Sequence, residues 1–223
     1  MKRRNLILGG VAVAGLGGWA LTSNLSQPGS TAIVGAANAQ STEADVDTSS
    51  IREMAIGDAD APVTIIEYAS FTCPHCAAFH QGPFKQLKSE YIDTGKVRMI
   101  YREVYFDRPG LWASMVARCG GEEKFFGIAD LIYKGQSDWA RAGEPTAIVD
   151  GLRKIGRLAG MDNETLNACL QDAEKAQTLV AWETQNREGD DITSTPSFLI
   201  NGTKQSNMSY ADFKALIDAE LDG

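Results

Sequence analysis

Basic residues are scarce in this chain. Lys2, Arg3 and Arg4 supply three of its 21 Lys and Arg, so beyond residue 39 only 18 basic residues face 29 acidic ones. No basic stripe runs along any later segment. Nucleic-acid binding, whose affinity comes from Lys and Arg on phosphates, is therefore not expected, and the acidic excess reads as a contribution to solubility. No cysteine precedes Cys73, so none of the first 72 residues can carry a lipid on sulfur. Long apolar runs are absent except at Leu6–Leu21, which at 16 residues is slightly short for a membrane span. There is no internal repeat.

That apolar run has a second reading. It follows the basic cluster Lys2-Arg3-Arg4 and precedes Ala37-Asn38-Ala39, a small-residue cleavage site. Residues 1–39 are expected to be an export signal. The paired arginines suit the twin-arginine type, although Asn5-Leu6 is a loose match and the distance from Leu21 to the cleavage site is long. An uncleaved N-terminal anchor is the alternative. Either way the folded part is expected outside the cytoplasm, where disulfides persist.

Residues 40–50 are polar and read as a linker. Val63–Ala69 is short, apolar and β-branched, the pattern of a buried strand. A helical run follows from Pro74 to about Ile92, with Pro74 suited to the first turn and Gly82-Pro83 expected to kink or restart it. A second strand is expected over Lys96–Phe106. From Leu111 to about Glu188 the pattern is helical, with pieces at 112–118, 122–133, 145–159, 163–171 and 173–188; Asp162 is a candidate N-cap, and Gly160 and Gly189 are candidate stops. Ser197–Ile200 reads as a short strand, Asn201-Gly202 as a hairpin turn, and Ser209 as the cap of a final helix over Tyr210–Leu221. The expectation is an α/β fold in which residues 51–110 and 189–223 form one unit and 111–188 form a helical insertion.

The chemistry concentrates in Cys73-Pro74-His75-Cys76, at the junction of the first strand and the first helix. A Cys-x-x-Cys pair in that position is the layout of a thiol–disulfide exchange site. Cys73 would sit exposed at the helix mouth, where the N-terminal partial positive charge favours a thiolate. Cys76, inside the first turn, would be buried and act as the resolving sulfur. His75 is expected to help through a protonated imidazole and backbone N–H groups. Two bland readings compete: a structural disulfide, or half of a zinc site. Zinc usually takes four ligands, and only His75, His80, Cys119 and Cys169 are available to add to the pair. Glu67 is a charge within an apolar strand, six residues before Cys73, and a buried carboxylate needs a partner or a task. His80, one turn beyond Cys76, reads as a partly exposed helix residue.

Two runs are together highly specific: Glu67-Tyr68-Ala69-Ser70-Phe71-Thr72-Cys73-Pro74-His75-Cys76 and Thr195-Pro196-Ser197-Phe198-Leu199-Ile200-Asn201-Gly202. Over residues 51–223 the chain resembles the DsbA family of bacterial thiol:disulfide oxidoreductases. The resemblance implies a thioredoxin-like fold, a central mixed sheet flanked by helices, with an inserted helical domain. It implies that Pro196 is a cis-proline facing the disulfide, that Thr195 lies beside the sulfur pair, and that Glu67 assists proton transfer to the buried cysteine. Family members often pair that acid with a Lys on the neighbouring strand; here the strand offers Arg98, Tyr101 and Arg102 instead. Some alphaproteobacterial relatives carry a second disulfide in the insertion. With the even cysteine count, this favours a structural Cys119–Cys169 bridge over two buried free thiols. The implied activity is an oxidase that donates the Cys73–Cys76 disulfide to reduced or unfolded exported proteins in the periplasm. It would be reoxidised by a DsbB-like membrane quinone reductase and need neither cofactor nor metal. A reductase or isomerase of protein disulfides and a chaperone-like binding protein are the alternatives. Isomerases usually carry a dimerisation domain, and the 11-residue linker is too short to be one; a monomer is expected.

Overall fold

The computed structural model describes residues 46–223. The signal or anchor expected over residues 1–39, and the first part of the linker, lie outside the described residues. The sheet is built from β1 (Met54–Ile56), β2 (Val63–Ala69), β3 (Val97–Glu103), β4 (Ser197–Ile200) and β5 (Thr203–Ser206), in the order β1-β3-β2-β4-β5. β2 and β3 are parallel, and every other neighbouring pair is antiparallel. This is the mixed sheet expected from the sequence.

β2 sits at the centre because its residues can be covered on both faces. Val63, Ile65, Glu67 and Ala69 alternate to one face and all are fully buried. Glu67 stands in register with Tyr101 of β3 and Phe198 of β4. On the other face Tyr68 packs with Val104 and Ile192.

The crossover from β2 to β3 is helical. α1 (Pro74–Gln81) and α2 (Pro83–Leu87) are separated by Gly82, so the Gly-Pro pair restarts the helix. The run closes in a π-helical turn over Lys88–Ile92. β1, only three residues long, carried no recognisable strand signal. It is placed by Gly57, whose φ is +102° and where an added Cβ would stand 2.5 Å from the Val97 carbonyl oxygen. β3 ends at Glu103, earlier than the expected Phe106, with the Val104 N–H still bonded to the Ala69 carbonyl.

Between β3 and β4 lie α3 (Arg108–Cys119), α4 (Glu122–Lys134), α5 (Gln136–Trp139), α6 (Pro145–Leu158), α7 (Asn163–Gln171) and α8 (Ala173–Gly189). The Asp107 carboxylate caps α3 through the Gly110 N–H at 2.7 Å, and Asp162 caps α7 through the Thr165 N–H at 2.7 Å. α5, a single turn, was not visible in the sequence. The hairpin between β4 and β5 turns on Asn201 (φ +44°) and Gly202 (φ +83°), both left-handed, as the Asn-Gly pair predicts. Ser209 caps α9 (Tyr210–Asp222).

The main core is continuous across these layers. Met54, Ala69, Phe71 and Tyr101 from the sheet side pack in one cluster with Phe125, Ile132, Leu152 and Leu166 from the helical segment. A second cluster seats Phe79 and Leu87 against β2, β3, β4 and α9. Beneath α3, Arg118 grips the buried Glu103 with two hydrogen bonds of 2.6 Å. Cys119 and Cys169 are joined by a disulfide linking the end of α3 to α7.

Candidate active site

Cys73 is the N-cap residue of α1 and Pro74 its first helical residue. Its extended backbone (φ −80°, ψ 120°) turns the chain out of a tight loop in which the Cys73 N–H bonds to the Ser70 carbonyl at 3.1 Å. The sulfur is half-buried, whereas Cys76, inside the first turn, is fully buried. Both are free thiols here. This is the exposed–buried asymmetry that the spacing predicts.

The two thiols differ electrostatically as well as in exposure. The Cys73 pKa is lowered to about 5. Its largest cause is a hydrogen bond from the Cys76 thiol, reinforced by the Thr195 side chain and the backbone N–H groups of Cys76 and His75, against the opposing pull of burial. Cys76 is pushed far above the ordinary thiol range, chiefly by burial and then by Cys73 and the Glu67 charge. One sulfur is therefore a ready thiolate at neutral pH while the other holds its proton. His75 is exposed, and it acts on Cys73 through its backbone N–H.

The Thr195–Pro196 peptide bond is cis. The Thr195 carbonyl accepts from the Cys73 thiol at 3.5 Å. The Thr195 hydroxyl is buried with no partner of its own, so a donor stands ready in the loop that faces the sulfur. Pro196 leads directly into β4.

Glu67 is 0% exposed, and its partner is not on β3. Both of its carboxylate oxygens bond to Nε2 of His80, at 3.1 and 2.9 Å. His80 is only 3% exposed, which corrects the expectation of a partly exposed helix residue. The physical reason is the helix period. His80 lies four residues after Cys76, on the same face of α1, and that face lies on β2. Arg102 instead pairs with Glu53 and Asp190 on the opposite face.

One further residue of the site carried no sequence signal. Gln136 of α5 donates from Nε2 to the carbonyls of Phe71 and Cys73, at 2.8 and 2.9 Å. It fixes the loop on both sides of the motif from a position 63 residues away. An open groove of about 880 Å³ starts beside the Thr195 loop at Ser194 and is lined by Val104, Phe106, Leu111, Val180 and Ile192 as well as by charged residues of α8. Phe106 is 60% exposed there. Among the described residues no group of three or more metal-ligand side chains comes together, and no helix is long and apolar enough to cross a membrane.

A half-exposed low-pKa thiol, a fully buried second thiol and the Thr195–Pro196 loop beside them sit at one end of a thioredoxin-like mixed sheet. Comparison with known proteins agrees. The family model described as thioredoxin matches residues 49–219. The crystal structure of Wolbachia pipientis alpha-DsbA1 superposes with a TM-score of 0.70 at 29% identity, covering 75% of this chain and 90% of that one. A protein of Rickettsia bellii that carries a protein-disulfide oxidoreductase name is 34% identical over 171 residues, 76% of this chain and 65% of that protein. Disulfide bond formation protein D of Bacillus subtilis is 26% identical over 176 residues, 75% of this chain and 77% of that one. The chain belongs to the thioredoxin family and is a DsbA-like member of it. It spans slightly less than two thirds of the length of its Rickettsia bellii relative.

Proposed function

We propose that this protein is a thiol:disulfide oxidoreductase that works as an oxidase, donating the Cys73–Cys76 disulfide to reduced or unfolded exported proteins. The observation that carries this reading is the contrast between the two sulfurs: Cys73 is half-buried at the mouth of α1 with its pKa lowered to about 5, and Cys76 is fully buried with its pKa raised. A stabilised Cys73 thiolate favours the reduced pair, which makes the disulfide form a strong oxidant.

The exchange runs in two displacements. A substrate thiolate attacks Sγ of Cys73; the Cys73–Cys76 bond breaks and its electron pair stays on Cys76, which takes up a proton. A mixed disulfide now joins Cys73 to the substrate. A second substrate thiolate attacks the substrate sulfur of that bond, and Cys73 leaves as the stabilised thiolate. The substrate ends with a disulfide and the protein with two reduced cysteines. Glu67 serves the proton uptake at Cys76. Thr195 and Pro196 offer a backbone edge and a hydroxyl donor beside the reacting sulfur, with His75 and Pro74 shaping the helix mouth. An extended substrate segment can lie along that edge like an added strand.

The residue pattern supports two further parts of this reading, export and the helical insertion, and family resemblance supports a third, the reoxidation partner. Residues 1–39 export the chain, through a twin-arginine signal or as an anchor, to the periplasm. Residues 111–188 form the insertion within the unit of residues 51–110 and 189–223. A DsbB-like membrane quinone reductase reoxidises the monomeric protein, with no bound cofactor.

The test is a glutathione redox titration of the Cys73–Cys76 pair, with Cys119 and Cys169 followed separately. A potential near about −120 mV, the value known for DsbA-type oxidants, supports the oxidase. A potential near about −270 mV, as in thioredoxin, means that the pair keeps its disulfide and makes the protein a reductase.

A further inference from the structure

We propose that His80 is the partner through which Glu67 works, and that the proton taken up by Cys76 when the disulfide opens passes through the buried Glu67–His80 pair. The inference rests on the exchange reading above and adds a positioning residue to it.

The geometry is specific. Nε2 of His80 bonds to both carboxylate oxygens of Glu67, and the two side chains are 3% and 0% exposed. The imidazole is held in an aromatic box. It stacks on Tyr133 at 4.4 Å between ring centres and packs against Phe84 at 4.7 Å and the edge of Tyr101 at 5.7 Å. The titratable groups facing the pair are Tyr101 from β3, Tyr133 from α4 and Cys76 from α1. Both tyrosines are fully buried and bonded to each other at 2.6 Å, and Tyr133 also donates to the Ser70 carbonyl at 3.3 Å. Burial holds both phenols well above their ordinary range, so they stay protonated. The groups left to exchange a proton with Cys76 are Glu67 and His80.

Cys76 needs such a route. It is fully buried, and burial with the neighbouring charges makes its thiolate unfavourable. When a substrate thiolate breaks the Cys73–Cys76 bond, the electron pair left on Cys76 must meet a proton inside the protein. His80 stands one helical turn along the same face of α1, with its ring nitrogen on both oxygens of Glu67. The pair hands its proton to Cys76 and regains one from solvent. In the reverse direction Cys76 returns the proton as it attacks the mixed disulfide. A buried carboxylate whose only task was structural would be more economically replaced by an apolar residue.

The test follows reduction of the oxidised full chain by a dithiol peptide between pH 5 and 9, using intrinsic fluorescence. His80→Gln keeps an N–H able to reach Glu67 but cannot carry the proton; Glu67→Gln removes the other member. Both variants are expected to react about 100-fold more slowly at neutral pH, with a flattened pH profile. His80→Gln matching the unaltered chain within about twofold at every pH overturns the proposal. A second readout needs no core variant. The chain has two histidines, so the ring ¹⁵N signals of His80 can be assigned against His75→Gln. They are expected to shift when the Cys73–Cys76 disulfide is reduced, and unchanged signals overturn the proposal even if His80→Gln fails to fold. An unaltered chain that exchanges no disulfide at all would overturn the exchange reading itself, an outcome distinct from a slow variant beside an active parent.

Discussion

Gln136 holds the carbonyl of Cys73 at 2.9 Å, and with the same nitrogen it holds that of Phe71 at 2.8 Å. A side chain from the helical segment thus fixes the loop that presents the reactive sulfur. Gln136→Ala would remove the donor to the Phe71 carbonyl and leave the Cys73 carbonyl with the Ala77 N–H alone. The expected cost is about 1–3 kcal/mol, measured by urea denaturation, with a slower reaction at Cys73 toward a mixed disulfide reagent.

The Thr195 hydroxyl is a donor without another partner, and it lowers the Cys73 pKa. Thr195→Val keeps the shape and removes the donor. The thiolate of the unaltered protein, followed by ultraviolet absorbance, is expected to titrate near about pH 5, and that of Thr195→Val about one unit higher. An unchanged midpoint would remove Thr195 from the account of the thiolate.

The depressed Cys73 pKa has a signature in stability. A thiol whose folded pKa lies below its unfolded value of about 8.5 stabilises the fold fully above the unfolded value and loses that contribution as pH falls through the folded one. The oxidised protein has no thiol to titrate there. The stability advantage of the reduced over the oxidised form is therefore expected to shrink steadily from about pH 8.5 down to about pH 5. Paired chemical denaturation of the two forms across that window checks the sign.

The Cys119–Cys169 disulfide closes a loop of 50 residues. On the chain-entropy account such a loop is worth about 4 kcal/mol. The double substitution Cys119→Ser, Cys169→Ser is expected to lower stability by about 2–4 kcal/mol, measured with the Cys73–Cys76 pair held in one redox state. A loss below about 0.5 kcal/mol would mean that α3 and α7 are held together by packing alone.

Much of the fold was legible because its signals are local. The β-branched run at Val63, the proline at the first turn of α1, the Asn-Gly hairpin and the capping Ser209 each name their own structure. β1 and α5 were not legible, since three and four residues are too few to show a period. In the site, the Cys-x-x-Cys pair announced the chemistry, and Glu67 stood out as a charge in an apolar strand. Gln136 could not be found, because nothing in a surface-like Gln-Ser-Asp-Trp turn points 63 residues back. His80 could have been: it lies four residues beyond a cysteine expected to be buried, and two residues on one helical face share one environment. Glu67's partner does not lie on the neighbouring strand, where register places Tyr101 opposite it.

The continuous core has a consequence for how such a chain can change over generations. Ala69, Phe71 and Tyr101 of the sheet side share a single packed cluster with Phe125, Ile132 and Leu152 of the helical segment. A lineage cannot discard or exchange residues 111–188 as a cassette without baring that surface to water. Any new residue in the segment has to fit against Phe71, which lies in the reactive loop, and its aromatic neighbours. A change in the helical packing is therefore felt at the loop that carries Cys73.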